Sequence, residues 1–185
     1  IGDAERLVHQ MNAFLPDDIV AYRIWQVAPD FHARFDAVSR TYHYYVTRTK
    51  NPFHTHDAYF LYGDLDMEKM QEAANLLFEY EDFTSFSKVH TQVKTNRCKI
   101  MEARWLEQDG LLVFRIKADR FLRNMVRAIV GTLLEVGKGR MTLEAFRAVI
   151  ERKDRCEAGI SVPAHALFLE EVEYPTNPKL QTPNS

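Results

Sequence analysis

The run NRCKIMEARWLEQDGLLVFRIKA, Asn96 to Ala118, decides the fold. Its first half, to Gln108, alternates apolar and polar residues and reads as a strand. Asp109-Gly110 is a strong tight-turn signal, and LLVFRIKA returns as the partner strand. A hairpin of this length commits the chain to antiparallel pairing. The period then changes. In KADRFLRNMVRAIVGTLLEVGKGR, Lys117 to Arg140, Met125, Ile129, Thr132 and Leu133 form a stripe that Val126, Val130 and Leu134 widen. The spacing predicts a largely enclosed helix from about Arg120 to Val136, closed by Gly137.

Working outward, Thr142 can cap a helix over Leu143–Arg152, and LFLEEVEY, Leu167 to Tyr174, reads as a last strand whose Glu170, Glu171 and Glu173 face solvent. Upstream, RTYHYYVTR, Arg40 to Arg48, is a strand rich in aromatic and β-branched residues. A connection over 49–65 carries Pro52 and Gly63 and leads to an amphipathic helix, Asp66 to Tyr80. There Asp66 is the N-cap, and Met67, Met70, Ala74 and Leu77 form the buried stripe. Asp3 to Phe14 has helical periodicity and Pro16 stops it, while DIVAYRIWQV, Asp18 to Val27, reads as a partly alternating strand. The tail after Pro175 is polar and Pro/Asn-rich and is expected to be disordered. Mixed helices and strands around a hairpin define an α+β fold, a largely antiparallel sheet with helices packed on one face.

Composition sets further bounds. The 185 residues are 46% hydrophobic and 27% charged, ordinary values for a globular protein. No apolar run approaches the ~20 residues that cross a bilayer, and no signal-peptide pattern opens the chain. Cys98 and Cys156 lack metal or redox spacing and read as reduced thiols of a cytoplasmic protein. The first residue is Ile1, not Met, which suggests part of a longer protein. Net charge is only −2, but its distribution is uneven: residues 31–50, 87–101 and 115–140 hold 15 of the 24 basic residues and 3 of the 26 acids. If the fold gathers these windows, one face is strongly basic and fits a phosphate-backbone partner.

Two residue patterns bear on chemistry. On the aromatic strand Tyr42, Tyr44 and Val46 share one face, while His43 and Tyr45 take the other. Tyrosines interleaved with Arg34, Arg40 and Arg48 can stack on bases while the arginines hold phosphates; packing on a core is the commoner use of such tyrosines, and the pattern alone leaves both open. In the long helix Arg120, Arg123 and Arg127 step by three and four onto one face. Arg127 lies beside Val126 and Val130, where an unpaired guanidinium is costly. It requires an acidic or phosphate partner, or a structural salt bridge within the fold. His54 and His56 lack further ligands, so no metal site is expected. No nucleophile–base pairing and no Gly-rich phosphate loop stands out. The residues alone describe a basic-faced RNA- or anion-binding domain.

Five segments sharpen this: NAFLPDDI (Asn12 to Ile19), FHARFDAVSRTYHYYV (Phe31 to Val46), EDFTSFS (Glu81 to Ser87), FLRNMVRAIVGTLLEVGKGR (Phe121 to Arg140) and PAHALFLEEVEY (Pro163 to Tyr174). In this order they closely resemble the carboxy-terminal domain of TruA-type tRNA pseudouridine synthases. The resemblance covers residues 1–175 as that domain and leaves 176–185 as a polar tail. It implies an isomerase that converts uridine to pseudouridine in the anticodon arm of tRNA, at about positions 38–40. The family breaks the N1–C1′ bond, turns the base and rejoins it through C5, on a flipped-out nucleotide. It implies no cofactor, no metal and no membrane, and a homodimer with tRNA across both subunits.

The covalently acting aspartate of the family sits in a GRTDAGVH motif, which these 185 residues do not contain. The expectation is that the motif lies upstream of Ile1 and that this chain alone is inactive. By resemblance Tyr42 stacks on the target base, Arg127 pairs with the missing aspartate, and Leu167 packs beneath the uracil. Ala166 stands where the family usually has Gly. Arg34, Arg40 and Arg123 are RNA or structural contacts. The competing reading is a non-catalytic RNA-binding module of the same fold, and a third is a plain protein-interaction domain, which would show no salt-dependent tRNA binding.

Overall fold

A computed structural model describes residues 3–88 and 95–175; Lys94 of the second basic window and the tail over 176–185 lie outside them. The chain divides into two compact units. One is Ala37–Glu173 and the other is drawn from the chain on either side of it.

The larger unit is a five-stranded sheet. Its strands are β1 (Ser39–Thr47), β2 (Tyr59–Phe60), β3 (Ile100–Gln108), β4 (Leu111–Ala118) and β5 (Leu167–Glu173), in the order β2-β1-β4-β3 with β5 also paired to β1. The expected hairpin is β3–β4. Asp109 and Gly110 both take positive φ, 51° and 76°, the backbone a two-residue turn of this hand requires. β4 then pairs antiparallel along β1, from Arg40 opposite Ala118 to Val46 opposite Leu112. The other edge of β1 is shared. β5 lies antiparallel against Ser39–Tyr44, and β2, inside the connection expected over 49–65, runs parallel to Val46 and Thr47.

Three helices supply the second layer: α2 (Met67–Leu76), α3 (Met125–Gly137) and α4 (Leu143–Arg152); α1 (Ala4–Phe14) belongs to the smaller unit. One apolar cluster joins Tyr44, Val46, Phe114, Ile116 and Trp105 of the sheet to Met70, Ile129, Leu133 and Phe146 of the helices. Full burial of each large apolar side chain contributes about 1.5–3 kcal/mol. Asp66 caps α2 by accepting from Lys69 N–H at 3.0 Å, and Thr142 caps α4 by accepting from Ala145 N–H at 3.2 Å. The open edge of β3 is held by Gln71 of α2, whose carboxamide donates to Ala103 O at 3.1 Å and accepts from Trp105 N–H at 2.8 Å.

Several sequence expectations are corrected. α2 proper ends at Leu76, and Leu77–Glu79 tightens into a 3-10 turn. α3 begins at Met125, not Arg120, because the preceding backbone is engaged elsewhere. Asp119 exchanges two bonds with Lys99, the Arg123 carbonyl accepts from Lys88 N–H at 3.0 Å, and Asn124 sits in the left-handed region at φ 69°. Arg120 and Arg123 therefore share no helical face with Arg127. Gly137 ends α3 but does not reverse it: Gly139, at φ 69°, takes the left-handed position. A Cβ at Gly137 would lie 2.3 Å from Met70 Sδ, so this glycine serves the contact between α3 and α2. Glu173 is not a plain solvent-facing residue; it accepts from Lys117 Nζ at 2.7 Å and from the Ser39 hydroxyl.

In the smaller unit α1 spans Ala4–Phe14. The strand expected over Asp18–Val27 does not form; only Val27 makes a bridge. The Asn12 carboxamide satisfies both backbone groups of Ala21, at 2.8 and 2.7 Å, in place of a ladder. The Tyr174 ring packs on Phe31 at 5.4 Å and its hydroxyl donates to Ala33 O at 2.8 Å.

The tightest approach in the larger unit is at Gly131, where an added Cβ would stand 2.0 Å from the Ile160 carbonyl oxygen. Gly131→Ala is expected to lower the stability of the chain by about 1–3 kcal/mol, since backbone must shift. A urea-denaturation midpoint equal to that of the unsubstituted chain would show that the approach is not a constraint.

Candidate active site

The segment joining α4 to β5 is laid along α3 as a strap. Gly159 N–H donates to Thr132 Oγ1 at 3.0 Å, and the Ile160 carbonyl lies over Gly131. The Ser161 hydroxyl accepts from the Asn124 carboxamide and, at 2.8 Å, from Arg155. Arg155 also reaches the carbonyls of Ala158 and Gly159. At the end of the strap Arg127, in the first turn of α3, donates from Nε to Val162 O at 2.6 Å, and Val162 N–H returns a bond to Arg127 O at 3.2 Å. The next carbonyl, Pro163 O, accepts from the Tyr44 hydroxyl at 2.9 Å. A 3-10 turn, Ala164–Ala166, then delivers Leu167 as the first residue of β5.

This arrangement sets Leu167, and the strap that Arg127 holds, against the face of β1 that carries Tyr42. Leu167 lies opposite Tyr44, and Tyr42 lies opposite Leu169, so Tyr42, Tyr44 and Leu167 share the helix-facing side. Tyr42 is half-buried and meets Phe121 edge-on, ring centres 5.1 Å apart at 88°. Burial pushes its hydroxyl above the usual tyrosine range, with the Arg40 guanidinium pulling the other way. Leu167 is half-buried against the core. Ala166 is fully buried and takes no positive φ, so its methyl group fills the core and leaves the turn undistorted.

Arg127 is half-buried. With Nε held by Val162, its terminal nitrogens make no hydrogen bond or ion pair among the described residues. A salt bridge within the fold, one of the two readings open from sequence, is thus not what shelters it there. Chemically the arrangement offers an aromatic and aliphatic surface able to support a planar base, and a fixed cation able to receive an anion.

The weaker candidates fall elsewhere. Arg40 donates from Nη1 to Ala37 O at 2.9 Å and to Asp119 O at 2.8 Å, tying the start of β1 to the end of β4. Arg123 is exposed in the turn before α3. Arg34 belongs to the smaller unit, over the Phe35 ring at 5.6 Å. The basic windows are also less bare than their composition suggests. Arg48 pairs with Asp64, Arg97 with Glu81, Arg115 with Glu102, Lys117 with Glu173, and Lys138 and Arg140 with Glu135. The side-chain charges of Lys88, Lys99, Arg120 and Arg123 form no salt bridge among the described residues; Arg120 and Arg123 lie in the connection between β4 and α3, to which the backbones of Lys88 and Lys99 bond. Sequence reasoning missed the strap, Tyr44 and Asn124. Residues 153–166 have no periodicity, and the paired small residues Gly131 and Gly159 were their only signal.

A family model described as tRNA pseudouridine synthase matches residues 73–175, more than half of the chain, and the chain belongs to that family, one of isomerases. The chain is 61% identical to tRNA pseudouridine synthase A of Parabacteroides distasonis, over 95% of the chain and 69% of the relative. It is 60% identical to the protein of the same name from Bacteroides thetaiotaomicron, over 94% and 65%. For that of Exiguobacterium sibiricum the figures are 39%, over 94% and 70%. The chain thus spans about two thirds of the length of these relatives.

Beneath Arg120 the buried Cys98 thiol is pushed up to about 12 by desolvation, with the guanidinium opposing. A thiol-alkylating reagent at about pH 8 is therefore expected to label exposed Cys156 and spare Cys98 until the chain is unfolded. Peptide mass spectrometry reads this directly; equal labelling of both would mean that the connection before α3 does not close over Cys98.

Proposed function

We propose that this chain forms the base-supporting part of a tRNA pseudouridine synthase site, acting on uridine in the anticodon arm at about positions 38–40. The observation that carries the reading is the half-buried Arg127, anchored through Nε on Val162 and without a carboxylate among the described residues. Such a cation is tolerable where an anion from outside these elements completes it. In this reading that anion is the aspartate of the GRTDAGVH motif, which the present sequence does not contain. Arg127 orients the carboxylate for attack, the Tyr42 ring stacks on the flipped uracil, and Leu167 supports its other side. Lys88, Lys99, Arg120 and Arg123 hold phosphates of the arm. The working enzyme is a cytoplasmic homodimer.

Chemistry supplies the assay. Joining C5 to C1′ releases the C5 hydrogen, so tRNA carrying [5-³H]uridine sheds tritium to water as pseudouridine forms. In the protein where this chain follows a segment bearing the aspartate motif, Arg127→Ala is expected to lower turnover by about 10²–10³-fold, the loss usual for removing one preorganised electrostatic contact. Wild-type turnover in that variant would overturn the assignment. tRNA binding by an otherwise intact protein that never releases tritium would instead favour the non-catalytic module.

A second measurement addresses the phosphate contacts. Replacing Lys88, Lys99 and Arg123 together by Gln is expected to weaken tRNA binding across sequences. The slope of log K against log salt should become shallower by about 0.7–0.9 per lost contact. An unchanged slope would place the phosphate path elsewhere.

A further inference from the structure

Tyr44 has a role that its family likeness does not specify. It is fully buried, and its ring belongs to the core. A phenol in such a place needs a partner for its hydroxyl, and the bond it makes, 2.9 Å to Pro163 O, spans 119 residues of sequence. Phenylalanine would fill the same volume without that requirement. The bond also falls at a particular place. Val162 O is taken by Arg127 Nε and Pro163 O by Tyr44, so two consecutive carbonyls are pinned from two different elements. The proline ring fixes the φ angle between them, here −53°. Four residues on, Leu167 lies directly opposite Tyr44 in the β1–β5 ladder.

We infer that Tyr44 is a positioning residue for the reaction: by holding the Val162–Pro163 unit it sets where the Arg127 guanidinium stands relative to the surface formed by Tyr42 and Leu167. This rests on the function proposed above. Burial pushes the phenol well above its ordinary range, with the Arg127 charge opposing, so it remains a donor at any working pH. Fold maintenance alone does not account for the bond. The strap is fastened independently at Gly159–Thr132, at Ile160 over Gly131 and at Asn124–Ser161. Removing the Tyr44 hydroxyl should therefore loosen the Val162–Pro163 unit and leave the strap in place.

The test uses Tyr44→Phe in the protein that includes the aspartate-bearing segment. Tritium release is expected to show kcat lowered about ten- to hundredfold with KM for tRNA unchanged, the signature of misplacement without lost binding. Arg127→Lys keeps the charge but loses the Nε–H that grips Val162 O. If Tyr44 acts through Arg127, Tyr44→Phe should cost little further in that background. Pro163→Gly, which keeps Tyr44 and frees the φ angle, should lower kcat in the same sense. In this chain by itself, ¹⁵N NMR should show the Arg127 Nε–H resonance moving and its exchange quickening in both Tyr44→Phe and Pro163→Gly.

Wild-type kcat in Tyr44→Phe, full additivity with Arg127→Lys, or an unmoved Arg127 resonance would each overturn the inference. An unsubstituted protein that releases no tritium would count against the proposed function instead. The NMR comparison then still decides whether Tyr44 holds Arg127.

Discussion

Two hydrogen bonds of opposite direction join Arg127 to Val162, and the candidate site depends on them. One runs from the guanidinium Nε to the Val162 carbonyl, the other from the Val162 amide to the Arg127 carbonyl. Together they dock the first turn of α3 on the chain entering β5. The side chain cannot swing away without leaving a peptide group unsatisfied, which costs about 1–3 kcal/mol where that group is buried. A guanidinium held through one nitrogen keeps its two terminal groups available with reduced rotational freedom. Such preorganisation is what electrostatic catalysis requires.

The docking itself follows from residues that carry no chemistry. Gly131 admits a carbonyl where any side chain would exclude it, and Gly159 comes within contact of the Thr132 backbone. Asn124 adopts a backbone shape that few non-glycine residues tolerate, and its carboxamide, not needed as a helix cap, reaches Ser161. This shape delays α3 until Met125 and leaves Arg120 and Arg123 in the approach to it. Of the arginines Arg120, Arg123 and Arg127, one is thus fixed in the helix and two precede it.

The sheet and its covering helices were legible in sequence because their signals are local. The Asp109-Gly110 turn, the alternation of Arg40–Arg48 and the Asp66 and Thr142 caps each depend on a few neighbouring residues, and the structure contains all of them. The candidate site was suggested only by family likeness. Tyr42, Arg127 and Leu167 are far apart in sequence, and the residues that bring them together form no periodic element. Charge misled for a related reason: the acids that neutralise Arg48, Arg97, Arg115 and Lys117 stand in other parts of the sequence, so counting by window could not see them. The strand read over Asp18–Val27 failed because apolar content alone does not supply a partner ladder.

The shared edge of β1 bears on how the molecule is made. β4 reaches its neighbour β3 through a two-residue turn, whereas β5 must find β1 across more than a hundred intervening residues. Contacts of such separation form late, after shorter loops have closed. During synthesis β1, α2, the hairpin and α3 can all assemble while the last strand is still inside the ribosome. Arg127 has no carbonyl to hold, and Tyr44 no acceptor, until Val162 and Pro163 emerge. The nascent protein therefore gains its core before its candidate site, and an unfinished chain would be folded but would lack the Arg127–Val162 and Tyr44–Pro163 contacts.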